Sequence, residues 1–267
     1  MAEPPFRSVA IVGAGLIGTS VQQASLRAWP DAQVTVLDAG DDLSRLAGAD
    51  LVLLAAPVRA NIELLEAIRP HVTATTVVTD AGSTKRAICA AASGYPSLDF
   101  IGGHPMAGAA KGGAANARAD LFDGRPWILT PAPGNPAEAV GRVEAFVAGL
   151  GAVPHIMTPE LHDRFVGAVS HLPQLTASAL MHVVGKLAGD AGLEVAGPGL
   201  VDMTRLAASP PGIWKDIAAT NEDVLREALD ALIHSLVDLR DTLGTGDGID
   251  AVFTSARRWK TTLDRSR

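Results

Sequence analysis

Within the first forty residues a short apolar run, Ser8-Val9-Ala10-Ile11-Val12, leads straight into Gly13-Ala14-Gly15-Leu16-Ile17-Gly18. A helix-like run over residues 19–28 follows, and a second apolar run, Val34-Thr35-Val36-Leu37, ends on Asp38. Strand, glycine loop, helix, strand and acid in this order specify a β–α–β unit whose loop can grip a dinucleotide. Gly13 permits the sharp turn out of the strand. Gly15, without a Cβ, lets backbone approach a pyrophosphate, and Gly18 lets the helix lie close to the strand. The helix N-terminus offers unpaired N–H groups and partial positive charge to phosphate. Asp38 stands twenty residues past Gly18. There a carboxylate can accept from both ribose hydroxyls and repel a 2′-phosphate, which favours NAD over NADP. The plainer readings are a glycine turn without a ligand and, for Asp38, a turn residue ahead of Ala39-Gly40-Asp41-Asp42.

Composition narrows the class. A chain of 267 residues makes one large or two modest domains. Hydrophobic residues at 48% against 19% charged supply a sizeable core, yet no apolar run approaches the ~18 residues of a membrane span. The opening Met1-Ala2-Glu3-Pro4-Pro5-Phe6-Arg7 has no signal-peptide pattern. Cys89 is the only cysteine. It cannot form an internal disulfide, reads as core filler and suits a reducing cytoplasm. The net charge of −7 argues against nucleic acid as a partner. An anionic substrate would then have to be held by locally placed cations.

The strand–helix alternation continues. Strands are expected over residues 50–57, 75–80, 100–104, 127–130 and 153–156. Helices are expected over 59–68, 85–92 and from Pro136 to about residue 150, with Asn135 as the cap of the last. Such alternation implies an α/β, Rossmann-type, doubly wound and mostly parallel sheet covered on both faces. Past residue 157 strand-like segments cease. Thr158 at N-cap and Pro159 at N1 open a helix, and helical periodicity runs on, interrupted near Pro173, Gly197-Pro198-Gly199 and Pro210-Pro211-Gly212. The expected division is therefore 1–156 for dinucleotide binding and 157–267 for an all-helical domain. Leu225, Leu229, Leu232, Leu236, Leu239 and Leu243 form an amphipathic stripe. It packs a helical core or lines the seam of a homodimer.

Ligands of open α/β sheets gather beyond the carboxyl ends of the strands. Asp80-Ala81-Gly82-Ser83-Thr84-Lys85 leaves the fourth strand and Gly102-Gly103-His104-Pro105-Met106-Ala107-Gly108 the fifth. His104, with an ordinary pKa near ~6.5, is either a base or a buried histidine bonded to backbone. The Ser83 hydroxyl either orients His104 and shares its proton or caps the next helix. Arg205, among Val201, Met203 and Leu206, suggests a partly buried helix. A buried arginine needs an anion, supplied by a substrate or by Asp202. His171 either lines a pocket or bonds carbonyls freed by Pro173. His162-Asp163 resembles a metal-ligand pair without further spaced ligands and reads as structural, with no metal expected.

Gly13-Ala14-Gly15-Leu16-Ile17-Gly18, Asp80-Ala81-Gly82-Ser83-Thr84-Lys85, Gly103-His104-Pro105-Met106-Ala107-Gly108, Glu160-Leu161-His162-Asp163, Ser170-His171-Leu172-Pro173 and Asp202-Met203-Thr204-Arg205 occur in one order. Together they resemble the prephenate/arogenate dehydrogenase family of tyrosine biosynthesis, from about Val9 to Leu243. The resemblance implies an N-terminal dinucleotide domain and a helical domain that dimerises. It implies an NAD-dependent oxidative decarboxylation of a cyclohexadienyl carboxylate, from prephenate to 4-hydroxyphenylpyruvate or from arogenate to tyrosine. It also implies His104 and Ser83 as catalytic residues and Arg205, His171 and Gln174 as substrate-binding ones. Gly13, Gly15, Leu16, Ile17, Gly18, Asp38, Ala56 and Pro57 become the cofactor contacts.

Two positions depart from the family's pattern. Gln174 and Ala110 stand where many members carry histidine and glutamate. A neutral amide both donates and accepts, which turns the expectation toward arogenate. With the sequence ending at residue 267, no separate chorismate mutase or regulatory domain is expected. Three other readings compete. A β-hydroxyacid dehydrogenase would carry a GxxxK-x-x-N-N pattern, which Gly185-Lys186-Leu187-Ala188 does not reproduce. A dehydrogenase for an amino-substituted prephenate would share these motifs. A nucleotide-sensing module would bind NAD without turnover and would need no base.

Overall fold

The computed structural model describes residues 3–109 and 112–265, so Ala110 lies outside the described residues. The described residues up to 156 contain seven strands and four α-helices. They are β1 (Ser8–Val12), α1 (Leu16–Ala28), β2 (Gln33–Leu37), β3 (Leu51–Leu54), α2 (Val58–Ile68), β4 (Val77–Asp80), α3 (Arg86–Ser93), β5 (Asp99–Pro105), β6 (Pro126–Pro131), α4 (Ala137–Gly149) and β7 (Val153–Ile156). The sheet order is β2-β1-β3-β4-β5-β6-β7. Strands β1 to β5 run parallel, β6 is antiparallel to β5, and β7 is parallel to β6. This is the mostly parallel, doubly wound sheet that the alternation of strands and helices implies.

The apolar runs are strands because both of their faces are covered. Val9, Ile11, Leu51, Leu53, Val77 and Ile101 enter one core, with Val21 and Ala24 of α1 and Val143, Phe146 and Val147 of α4. Their alternates Ala10, Val12, Val52, Leu54, Val78 and Phe100 enter the other, with Leu65 and Ile68 of α2 and Ile88 of α3. A period of two places successive side chains on opposite faces. A strand with helices on both faces must then be apolar throughout.

β2 and β3 lie on opposite sides of β1, so the chain reverses its winding direction there. That switch opens a crevice beyond the carboxyl ends of β1 and β3. The pairings Val12 with Leu54, Leu54 with Asp80 and Thr79 with Ile101 bring the ends of β1, β3, β4 and β5 to one edge. Gly13 (φ +117°) crosses that edge against β3: a Cβ there would sit 2.7 Å from the Ala55 carbonyl oxygen.

All four helix starts differ from expectation, α2 and α3 by a single residue. α1 begins at Leu16 rather than residue 19, with Gly15 at N-cap, so the glycine loop is itself the helix start. α4 begins at Ala137, with Pro136 rather than Asn135 at N-cap and no side-chain cap. Asn135 instead accepts from the Ala132 N–H at 2.6 Å and donates to Asp99 at 2.7 Å, because tying the loop to β5 satisfies its amide at both ends.

After β7 come α5 (Pro159–Val166), a π turn (Gly167–His171), α6 (Leu172–Leu193), α7 (Pro198–Thr204), a 3₁₀ turn (Arg205–Ala208) and α8 (Pro211–Thr220). Thr158 caps α5, its hydroxyl accepting from the Leu161 N–H at 3.3 Å. The described residues from 223 on form a separate compact unit. It carries nearly all of α9 (Glu222–Asp241) and α10 (Asp247–Arg265). Leu225 is buried, while Leu236 and Leu243 of the same stripe, and Phe253 and Trp259 of α10, are exposed. No described helix is long and apolar enough to cross a membrane.

A Cβ on Gly18 would overlap the Gly13 carbonyl oxygen, whereas one on Gly15 would meet nothing within 4 Å. Gly18→Ala is therefore expected to lower unfolding stability by about 1–3 kcal/mol. Gly15→Ala should stay within about 0.5 kcal/mol of the parent. Urea unfolding of the two variants checks the contrast, and equal losses would contradict it.

Candidate active site

The glycine loop has the features a phosphate needs. Space is open above Gly15, and the first turn of α1 has neither a side-chain cap nor an acidic residue. Its N–H groups are thus left to a ligand, with the helix dipole behind them. Leu16 and Ile17 are the first residues of that helix, half-buried. Ala56 and Pro57 face the same crevice from the end of β3. Asn61, fully buried, braces them by accepting from the Ala56 N–H at 3.1 Å and donating to the Leu54 carbonyl at 3.2 Å. Asp38 begins a turn in which its N–H donates to the Asp41 carboxylate at 2.8 Å. Its own carboxylate is exposed and makes no hydrogen bond among the described residues. Asp38 is therefore a turn residue and a free acid at once, and this loop fits a dinucleotide.

Two strands along, Asp80 and Lys85 form an ion pair with no solvent contact. Lys85 Nζ also donates to the Gly103 carbonyl at 2.7 Å, and Asp80 accepts from the N–H groups of Gly82 (2.8 Å) and Gly103 (3.0 Å). Both charges are satisfied by hydrogen bonds, which a buried pair requires. Together they clamp the peptide preceding His104. Gly103 has to be glycine, since any Cβ would overlap the Asp80 carbonyl.

His104 lies at the end of β5, 8% exposed. Its Nδ1 is 2.8 Å from Nε2 of His162. Nδ1 of His162 is in turn 2.7 Å from Oδ1 of Asp163. Asp163 also accepts from the N–H groups of Lys85 (2.6 Å) and Arg86 (3.0 Å) and from Arg86 Nε (3.2 Å). Burial alone would raise the Asp163 pKa, but the hydrogen bonds from His162 and from these backbone groups outweigh it and hold the carboxyl below its usual range. The ionised carboxylate only accepts, so His162 donates from Nδ1 and accepts at Nε2. His104 must then donate from Nδ1. That tautomer leaves the lone pair on Nε2, which makes no hydrogen bond among the described residues. Burial, followed by His162, Lys85 and His171, holds His104 well below the ordinary imidazole range, so the ring is neutral near pH 7.

Several expectations need correction. Ser83 is half-buried and bonds neither His104 nor the helix. α3 starts one residue beyond Lys85 with no side-chain cap of its own, because Asp163, arriving from α5, takes its first N–H groups. His162 and Asp163 are both fully buried and hydrogen-bonded in series behind His104. The Glu160-Leu161-His162-Asp163 motif was the available signal, but spacing cannot show that α5 docks beside β5. His171 does not bond freed carbonyls. Its ring is buried, its two nitrogens have no hydrogen-bond partner among the described residues, and it stands edge-on to Trp214 at 6.0 Å. The π turn that carries it absorbs the break before Pro173, a device common at functional sites.

Gln174 spends both amide protons within the chain, on the Leu206 carbonyl at 2.7 Å and Ser178 at 3.2 Å, and accepts from Ser209 at 3.2 Å. It ties the turn of Arg205 to α6 and has no donor left for a ligand. Val201 and Met203 are exposed, so the expected partly buried helix is not found. Arg205 is exposed too and forms no ion pair with Asp202 or any other described residue. A buried anion is not what holds it, and its guanidinium is free.

Residues 12–156 match the family model described as prephenate dehydrogenase, nucleotide-binding domain. Residues 158–253 match the model described as prephenate dehydrogenase, dimerization domain. The cyclohexadienyl dehydrogenase of Zymomonas mobilis is 31% identical, over 91% of this chain and 90% of its own length. Among solved structures, Synechocystis arogenate dehydrogenase superposes with a TM-score of 0.80 at 27% identity, covering 97% of this chain and 100% of that one. A. aeolicus prephenate dehydrogenase, solved with hydroxyphenyl propionate and NAD+, has a TM-score of 0.87 at 24% identity, covering 98% and 99%. That last likeness is one of fold.

Burial holds His171 at about 4, against ~6.5 for an exposed imidazole. A histidine kept neutral in the fold stabilises it fully above pH ~6.5, and that contribution is lost as the pH falls towards 4. The difference amounts to about 3 kcal/mol. Stability measured by urea unfolding should therefore drop over this window, and His171→Asn should make the drop shallower. Equal slopes in the two proteins would contradict the assignment.

Proposed function

Since this chain belongs to the prephenate dehydrogenase family, we propose that it oxidises and decarboxylates a cyclohexadienyl carboxylate with NAD, in tyrosine biosynthesis. The substrate is prephenate, giving 4-hydroxyphenylpyruvate, or arogenate, giving tyrosine. The observation that carries this reading is a neutral histidine, His104, with its Nε2 lone pair unclaimed, on the same sheet edge as an uncapped glycine loop.

Gly13, Gly15, Leu16, Ile17 and Gly18 would hold the pyrophosphate, Asp38 the ribose hydroxyls, and Ala56 and Pro57 the wall of the crevice. NAD, when bound, supplies the acceptor for the hydride that leaves C4 of the ring. His104 accepts the proton of the C4 hydroxyl at Nε2. Ser83, whose hydroxyl has no hydrogen-bond partner among the described residues, hydrogen-bonds the same oxygen. Loss of the ring carboxylate as CO₂ completes aromatisation. Arg205 holds a substrate carboxylate through its planar fork, which suits a free guanidinium on a negatively charged protein. His171 lines the pocket with nitrogens that lack partners. Gln174 acts on substrate choice through the position of Arg205, because its amide protons are already used.

The domain division is 1–156 for the cofactor and 157–267 for substrate and assembly, a reading supported by the family-model matches over 12–156 and 158–253. The assembly is a homodimer through the helical residues. Its support is the dimerization-domain match and the exposed Leu187, Val201 and Met203. The cytoplasm is the compartment, in keeping with a lone, partly buried cysteine. Burial pushes the Cys89 thiol up to about 11, which keeps it unreactive.

Absorbance of reduced nicotinamide, followed with NAD and each cyclohexadienyl substrate, tests the reading. Turnover of at least one is expected, and tight NAD binding without turnover would leave a sensor. His104→Asn should lower kcat by about 10²–10⁴-fold with NAD affinity retained. Arg205→Ala should weaken substrate binding by about 1.5–3 kcal/mol. An unchanged kcat in the first, or an unchanged KM in the second, removes that residue from the mechanism.

A further inference from the structure

His162 and Asp163 have no role in a mechanism that ends at His104, yet both side chains are fully buried in direct line behind it. A histidine needed only for packing would not require another histidine as its sole contact at Nε2. A carboxylate needed only to cap α3 would not require an imidazole on the same oxygen that accepts from Lys85. We propose that Asp163, His162 and His104 form a proton relay, in which His162 receives the proton that His104 releases from Nδ1 as His104 takes up the substrate's proton at Nε2. This rests on the proposed role of His104 and extends it two residues into the protein.

The step balances. The substrate O–H bond breaks and an N–H bond forms at Nε2 of His104. The Nδ1–H bond of His104 breaks and one forms at Nε2 of His162. His104 ends neutral, in the opposite tautomer, and His162 ends as an imidazolium whose Nδ1–H points at the Asp163 carboxylate. The electron pair of the broken C–H bond leaves with the hydride and takes no part in the relay. Reversal of the same shifts returns the proton from Nε2 of His104 to the ring oxygen, which takes up the electron pair freed with CO₂, so the product leaves as the phenol and both histidines are reset.

Surrounding charges favour this direction. The groups near His104 and His162 are the Asp80–Lys85 pair on the β4–α3 segment, Arg86 at the start of α3, Asp163 on α5 and the neutral His171 of the π turn. An imidazolium on His104 would face Lys85 with no carboxylate against its ring. On His162 the charge lies 2.7 Å from a carboxylate oxygen. Charge-assisted hydrogen bonds of this kind are about twice as strong as neutral ones. His162 and Asp163 are thus positioning residues that set the tautomer of His104 and lower the free energy of its protonated state.

Two measurements test the relay. ¹⁵N NMR of histidine-labelled protein near pH 7 should show His104 protonated at Nδ1 and bare at Nε2. The reverse tautomer overturns the proposal without any variant. In single turnovers the solvent deuterium effect should depend on deuterium fraction as a curve, with two protons in flight. In His162→Gln, whose amide oxygen accepts from His104 but cannot take its proton, the dependence should become linear. That variant should also lose roughly 10–100-fold in kcat with the KM values for NAD and substrate within about twofold. Wild-type kcat and an unchanged curve in His162→Gln would overturn the relay alone. An unaffected His104→Asn would instead overturn the reading of the site on which it rests.

Discussion

A carboxylate with no solvent contact must find donors on every side, and Asp163 finds them on two helices. Removing such a charge from water costs several kcal/mol, which the N–H groups at the start of α3, the Arg86 guanidinium and the His162 imidazole offset. Its backbone carbonyl also accepts from Asn221 at 3.0 Å, and Asn221 accepts from Arg86 at 2.8 Å. The helical segment over residues 159–222 is thereby fastened to the sheet in part by one ionised side chain. The orientation of His104 follows from that attachment, because the acceptor that fixes its tautomer rides on α5.

The clamp on the other side of His104 obeys the same logic. Asp80 and Lys85 are fully buried, and each satisfies the other while holding one end of the Gly103 peptide. A buried pair of this kind contributes little net stability against an apolar alternative. Its value lies in geometry: the residue next to Gly103 cannot drift from the edge where the glycine loop opens. Sheet topology supplies that edge, the clamp supplies the backbone position, and the Asp163–His162 pair supplies the ring orientation.

Much of this was legible in the sequence, for definite physical reasons. Strands buried on both faces are continuous apolar runs, so β1, β3 and β4 could be read directly, and the glycine spacing located the loop and Asp38. Pairings between distant segments were not legible. His104 and His162 are 58 residues apart, and Lys85 and Asp163 are 78 apart. Periodicity reports which face a residue occupies but not what lies opposite. For that reason His162-Asp163 read as structural, Ser83 as a partner of His104, and Gln174 as a pocket residue. Arg205 shows the converse: apolar neighbours suggested burial, yet two of them, Val201 and Met203, are themselves exposed.

The central claim is that this edge brings an unclaimed imidazole nitrogen to a hydroxyl whose carbon gives up a hydride. A crystal structure with NAD and an aromatic product analogue tests it most directly. The account predicts Nε2 of His104 within about 2.6–3.2 Å of the ring oxygen, with Nδ1 still on His162. A ring oxygen bound elsewhere, or Nε2 turned into the protein with no path to the ligand, would contradict it.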